Sequence, residues 1–102
     1  MKLAILLHGT ESEKERLSEI MNELQKQLNS VGSDEIEVVY RVNEEENIDE
    51  KCSWLLSQTV APKYIFITAA TIIEDNFIIL RFNSVKLRKP TKQLLELGVF
   101  NK

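Results

Sequence analysis

Apolar and polar positions along this chain follow two rhythms, one of period two and one of period 3.6, and the switches between them predict the elements. Lys2 to Leu7 is nearly all apolar and reads as a strand buried on both faces. His8-Gly9-Thr10 breaks it, and Ser12 with Glu15 three residues later predicts a capping box. The next segment sets Leu17, Ile20, Met21, Leu24 and Leu28 on one helical stripe. Its other face carries Glu13, Lys14, Glu19, Glu23, Lys26 and Gln27, and Gly32 is the expected stop. Ile36 to Val42 predicts a second strand, with Ile36, Val38, Tyr40 and Val42 on one face. Asn47 can cap a second helix with the stripe Ile48, Cys52, Leu55 and Leu56. Trp54 lies off that stripe, either against a neighbouring element or as an interface anchor.

Pro62 ends the second helix, and Tyr64 to Ala70 carries no charge. This run predicts a strand buried on both faces, and the stretch Pro62–Asp75 that contains it is the one around which the chain is organised. Thr71 with Glu74 predicts another capping box. Phe77-Ile78-Ile79-Leu80 fits a buried helix or a strand, and periodicity does not arbitrate for residues 77–82. Val85 and Leu87, interleaved with Lys86 and Arg88, read as a short edge strand ended by Pro90. Thr91 to Leu97 reads as a last helix, capped by Thr91 and closed by Gly98. Val99-Phe100 either tucks back or is offered to a neighbour. Strand–helix–strand–helix–strand predicts an α/β fold: a small three-layer, mainly parallel sheet of order 2-1-3 with a short edge strand, like half a Rossmann domain. The first strand then lies in the middle, and a ligand crevice opens at the carboxyl ends of the strands.

Composition narrows the class. At 102 residues the chain is one domain, 1–102, with a core over 2–82 and a basic strand, helix and tail over 83–102. The lone Cys52 cannot form an internal disulfide, which points to a reducing, cytoplasmic setting or a particle assembled there. The apolar run after Met1-Lys2 is too short for a signal peptide, and none reaches membrane-spanning length. The net charge of -3 hides an asymmetry: residues 1–60 hold 13 acids against 6 bases, and residues 61–102 hold 3 against 7. Two differently solvated faces account for this, and so would steering of a partner or a head-to-tail neighbour.

In layout, residues 2–82 resemble the nucleotide-binding half of family 2 glycosyltransferases of the GT-A fold. The matching parts are Leu3–Thr10, the helix after it, Glu35-Ile36-Glu37-Val38-Val39-Tyr40, Glu50-Lys51-Cys52-Ser53 and Pro62-Lys63-Tyr64-Ile65-Phe66-Ile67. Ile73-Glu74-Asp75-Asn76-Phe77-Ile78 resembles the acidic pair that follows in the family. The departures fall on the functional positions. The Asp-X-Asp motif that holds metal and sugar-nucleotide diphosphate reads Thr68-Ala69-Ala70. The acidic residues after the second strand read Tyr40-Arg41-Val42, the Arg-Asn of the helix reads Cys52-Ser53, and only Thr10 remains of the Pro-Thr turn. No acceptor-binding half appears before Lys102. A metal-dependent transferase must neutralise two phosphates as the leaving group departs, and an alanine pair supplies nothing for that. The resemblance therefore implies a shortened, inactivated scaffold without metal or cofactor.

The remaining chemistry is sparse. His8 is the only histidine, so a His-based metal cluster is excluded. As a general base it lacks a convincing nucleophile, and a structural role at a strand end is favoured. Cys52 on the apolar stripe reads as a buried small hydrophobe. Glu44-Glu45-Glu46 lacks the turning glycine and alternating ligands of a calcium loop. Neither Gly-rich phosphate motif occurs around Gly9. Arg81, Lys86, Arg88, Lys89 and Lys92 form the one basic cluster; without interleaved aromatic residues it favours an acidic protein surface, including another copy of the chain, over nucleic acid. Three readings follow. The first is a non-catalytic structural or interaction module, such as an accessory protein of a virus particle, with Trp54, Arg81, Lys86, Arg88, Lys89, Val99 and Phe100 as contacts. The second is a metal-independent nucleotide or nucleotide-sugar binder using Thr10, Arg41, Lys51 and Thr68. The third, a residual glycosyltransferase, is least favoured because a fold without its site does not carry an activity.

Overall fold

The computed structural model describes residues 2–32 and 34–102. Its first strand, β1 (Leu3–Gly9), is buried at every position. A short 3-10 turn, Glu11–Glu13, leads into α1 (Lys14–Val31), which Gly32 ends in the left-handed conformation at φ 64°. β2 (Ile36–Val42), α2 (Ile48–Ser57) and β3 (Lys63–Ile67) follow. The chain then enters α3 (Phe77–Lys86), α4 (Thr91–Glu96) and β4 (Val99–Asn101). The sheet order is β2-β1-β3-β4; β1 pairs parallel with β2 and β3, and β4 runs antiparallel to β3. This is the expected α/β fold with the expected 2-1-3 order.

The sheet separates two unequal cores. On one face Leu3, Ile5 and Leu7 of β1 meet Ile20 and Leu24 of α1, Phe77, Ile78 and Phe82 of α3, and Leu94 of α4. On the other, Ala4 and Leu6 meet Leu55 and Ala61 under α2. Small residues on that side let the ten-residue α2 lie close to the sheet. Gly9 is a close-approach glycine: a Cβ there would come within 2.5 Å of Leu17 Cδ1 and 3.2 Å of Glu13 Oε1.

Several sequence expectations need correction. β1 continues through His8 and Gly9, because these residues stay in register with Arg41 and Val42 of β2. The capping box forms two residues earlier, at Thr10 and Glu13, where Glu13 Oε1 accepts the Thr10 N–H at 3.0 Å. Ser12 instead donates its N–H to Glu44 Oε1 at 3.0 Å, so the acidic loop caps the start of the helical segment. β3 is shorter than Tyr64–Ala70, and only Ile65 and Ile67 are buried in it. α2 packs over β1 and β2, leaving Tyr64 and Phe66 half-covered. The strand buried throughout is therefore β1, and it takes the organising place assigned to the 62–75 stretch. On α2, Ile48 is exposed and Lys51 is buried in its place.

Residues 77–82 are helical, and 85–88 form no edge strand. The α3 helix ends in a Schellman motif: Lys89 N–H donates to Ser84 C=O and Arg88 N–H to Val85 C=O, with Arg88 left-handed at φ 52°. The edge strand is β4 instead, so Val99-Phe100 tucks back onto β3. The predicted Thr71–Glu74 cap is absent from the start of α3, whose N-cap is Asn76. Likewise α4 is preceded by Pro90 as its N-cap residue rather than Thr91, although Gly98 closes the segment at φ 76°.

Gln27, assigned to the solvent face, is the clearest departure. Its Oε1 accepts the Ile78 N–H at 2.9 Å and its Nε2 donates to Glu74 C=O at 2.6 Å. One α1 side chain thus satisfies an orphan donor in the first turn of α3, a position no local residue caps. Gln27→Ala leaves a buried N–H unpaired and is expected to cost about 1–3 kcal/mol. Urea unfolding of the variant measures this; a loss below about 0.5 kcal/mol would show that the bridge contributes little.

Candidate functional site

The parallel strands β1, β2 and β3 end at one edge of the domain, and the four residues proposed as ligand contacts come from that end. Thr10 follows β1, Arg41 lies near the end of β2, Lys51 is in the first turns of α2, and Thr68 follows β3. They do not form one polar cradle. The Thr10 hydroxyl lies 3.1 Å from Glu13 Oε1 and 2.9 Å from Ser12 Oγ. Arg41 donates Nε to Glu46 Oε1 at 2.8 Å and Nη2 to Glu46 Oε2 at 3.3 Å. Its guanidinium also sits 4.7 Å from the Trp54 ring centroid, so Trp54 covers a neighbouring side chain within the domain. Hydrogen bonding to Glu46 raises the Arg41 pKa and holds the Glu46 carboxyl below its usual range.

The end of β3 closes on itself. Thr68 N–H donates to Thr71 Oγ1 at 3.0 Å, Ala70 N–H to Thr68 Oγ1 at 3.2 Å, and Thr71 N–H to Thr68 C=O at 3.1 Å. Three backbone donors that could have met a phosphate or carbonyl are pointed into a turn. Among the described residues, no group of three His, Cys, Asp or Glu side chains could hold a metal ion.

On the α2 side, His8 and Lys51 are brought together, a pairing that sequence distance hid. Both are buried, His8 with its ring edge-on to Phe66 at 5.9 Å. Burial, and then the neighbouring Lys51 charge, push the His8 pKa down, while Glu13 partly offsets them. A neutral imidazole beside a lysine can accept or pass a proton, but no nucleophilic thiolate faces it. Burial and Asp49 raise the Cys52 pKa, so that thiol stays protonated.

The proposed contact residues scatter. Arg81 is structural: Nε donates to Leu97 C=O at 2.8 Å, Nη1 to Phe77 C=O at 3.1 Å, and the guanidinium stacks 3.7 Å from the Phe77 ring. Burial lowers its pKa, against the opposing pull of Glu74. It thus leaves the basic cluster and ties α3 to the end of α4. Val99 is buried in the main core and offers no contact surface. Lys86, Arg88 and Lys89 remain exposed at the end of α3, with Lys86 5.3 Å from the Phe82 ring. Phe100 is half-exposed and stacks on Tyr64 at 5.8 Å, continuing to Phe66 at 5.2 Å as an aromatic row across the less covered face. Alternation in Lys63–Ile67 carried the signal for that row.

A further concavity lies elsewhere. A groove of about 710 Å³ runs between α1 and the outer part of β2, lined by Leu17, Met21, Tyr40, Val42, Arg41 and Trp54. No helix is long and apolar enough to cross a membrane among the described residues. Comparison with known proteins gives no match, whether to family models, to curated proteins or to solved structures.

The buried His8 predicts a pH dependence. Its folded pKa lies below about 6.5, so its stabilising neutral form is complete above that value. Stability is lost as pH falls through the folded pKa, because the unfolded chain takes up the proton first. Melting temperature is expected to fall as pH drops below about 6.5, and His8→Asn to flatten that limb. An equal slope in the variant would place the dependence on other groups.

Proposed function

We propose that this domain is a non-catalytic structural or protein-interaction module, built on a glycosyltransferase-like arrangement of elements and working as part of a larger assembly. The observation that carries this reading is the closed turn after β3. Thr68, Ala70 and Thr71 spend their donors on one another at the place where a sugar-nucleotide site needs carboxylates and free backbone groups. The other candidate contacts are engaged in the same way, Thr10 by Glu13 and Arg41 by Glu46. Catalysis of phosphate departure depends on charge aimed at the developing anion, and these groups are aimed at their own neighbours.

One observation favours a second reading, a metal-independent nucleotide binder. Lys51 is 3% exposed, and no ion pair among the described residues engages it. A buried ammonium of this kind at the carboxyl end of a parallel sheet is a fitting partner for a phosphate.

A thermal-shift titration with nucleotides and nucleotide sugars, with and without manganese, separates the two. A ligand at a hundred times its dissociation constant adds about 2.7 kcal/mol to native stability. For a domain of this size that is a rise of roughly 10 °C or more. The scaffold reading expects a flat panel. A saturable rise abolished by Lys51→Met would establish the binder instead, and one that requires manganese would overturn the account of Thr68-Ala69-Ala70.

A further inference from the structure

β2 is a seven-residue strand at the edge of the sheet. Its bonds to β1 fix which backbone groups face outward. Glu35 C=O accepts the Leu3 N–H at 3.2 Å, and Asn43 N–H donates to Gly9 C=O at 3.1 Å. Odd-numbered residues therefore turn their backbone groups to β1, and Ile36, Val38, Tyr40 and Val42 turn theirs to the open side. No strand among the described residues pairs there. Ile36–Val42 contains no Pro, Gly or Lys, and its two charges, Glu37 and Arg41, are of opposite sign, so they protect the edge less against a copy of itself than like charges would. The opposite edge is protected by brevity: β4 has three residues. On β2, Tyr40 is 62% exposed.

We infer that this edge pairs with the same edge of a second copy of the chain, antiparallel and two-fold, with Val39 on the axis. The inference rests on the scaffold reading and names its partner. Ile-Glu-Val-Val-Tyr-Arg-Val is self-complementary about its midpoint. In that register Glu37 stands opposite Arg41 of the second copy, and the relation repeats across the axis. Val38 meets Tyr40, Ile36 meets Val42, and Val39 meets itself. The outward-facing residues become the hydrogen-bonded pairs. Glu37 and Arg41 fall in non-hydrogen-bonded pairs, where facing side chains are closest.

Neighbouring registers are worse. Centring on Val38 sets Glu37 against Val39, and centring on Tyr40 sets Arg41 against Val39. A centre between two residues opposes groups already committed to β1. Bonds within the chain permit the pairing: Arg41 uses Nε and Nη2 on Glu46, leaving Nη1, while Glu37 accepts from Thr59 through Oε1, leaving Oε2. The dimer doubles the four-stranded sheet into one continuous sheet and gives the groove beside Tyr40 and Val42 its missing wall.

Sedimentation equilibrium of the full chain from about 10 µM to about 1 mM tests this, using wild type, Glu37→Arg and Arg41→Glu. Wild type is expected to dimerise. Each single variant opposes like charges at both contacts and is expected to self-associate at least about tenfold more weakly. Mixing the two variants restores both Glu–Arg oppositions, so a heterodimer is expected to form. Circular dichroism melts establish that both variants are folded. Should either fail to fold, hydrogen exchange on wild type takes over: the Val38, Tyr40 and Val42 amides gain protection with concentration, and the Val39 amide does not. A wild type that stays monomeric overturns the pairing, and the edge is then left to an extended segment of another protein. A dimer indifferent to both charge reversals overturns it as well. Failure of the scaffold reading looks different, because it is a nucleotide-dependent melting shift and leaves the sedimentation result untouched.

Discussion

Everything in this domain depends on burying β1 from four directions at once. Its two edges are taken by β2 and β3, its faces by the α1 layer and by α2, and all seven of its residues are inaccessible. Parallel neighbours cannot be joined by tight turns, so each pairing requires a crossover, and the crossover helices are what cover the faces. The two faces differ because the side chains differ. Leu3, Ile5 and Leu7 support α1, α3 and α4, whereas Ala4 and Leu6 leave space only for a close, short α2. From that asymmetry follow the uncovered Tyr64–Phe100 row and the half-covered end of β3.

The two crossover helices were legible because each rests on a pattern contained within a single segment, and the α/β class and 2-1-3 order followed from the succession of strands and helices. Leu17, Ile20 and Leu24 repeat at helical spacing, Gly32 can adopt the left-handed stop, and Asn47 Oδ1 accepts the Glu50 N–H as a capping residue should. The misread features depend on a partner distant in sequence. Gln27 looks solvated until Ile78 is brought to it, 51 residues away. Arg81 looks like part of a basic patch until Leu97 lies in reach. Residues 85–88 show alternation because a helix end in a Schellman turn also alternates apolar and basic residues. Val85 and Lys86 belong to α3 and Arg88 is left-handed, a stop that no side-chain pattern announces.

The placement of polar groups carries the functional argument further than the apolar core does. A site that recognises a small anion must hold donors unsatisfied by the protein itself, at a cost in stability. At the carboxyl end of this sheet the reverse holds for most groups: Thr10 serves Glu13, Arg41 serves Glu46, and Thr68 and Thr71 serve each other's turn. Glu44, in an acidic loop that could have suggested a metal, caps the approach to α1 through Ser12. Lys51 is the exception, and it is buried rather than offered.

Unspent hydrogen-bonding capacity is found instead along the outer side of β2. There the backbone of Ile36, Val38, Tyr40 and Val42 meets no strand among the described residues, and the side chains of Val38, Tyr40 and Val42 are only partly covered. In water such groups are solvated at no great penalty, which is why an edge can persist in a stable monomer. Their regular spacing is nevertheless specific for one class of ligand, another extended chain. On the proposed reading, recognition lies along the side of this seven-residue edge strand rather than at the ends of the parallel strands. Chemistry at a crevice needs groups converging on a point, whereas pairing at an edge needs only a matching row. The charge-complementary pattern of Ile36–Val42 supplies such a row from the chain itself, with Glu37 and Arg41 setting its register.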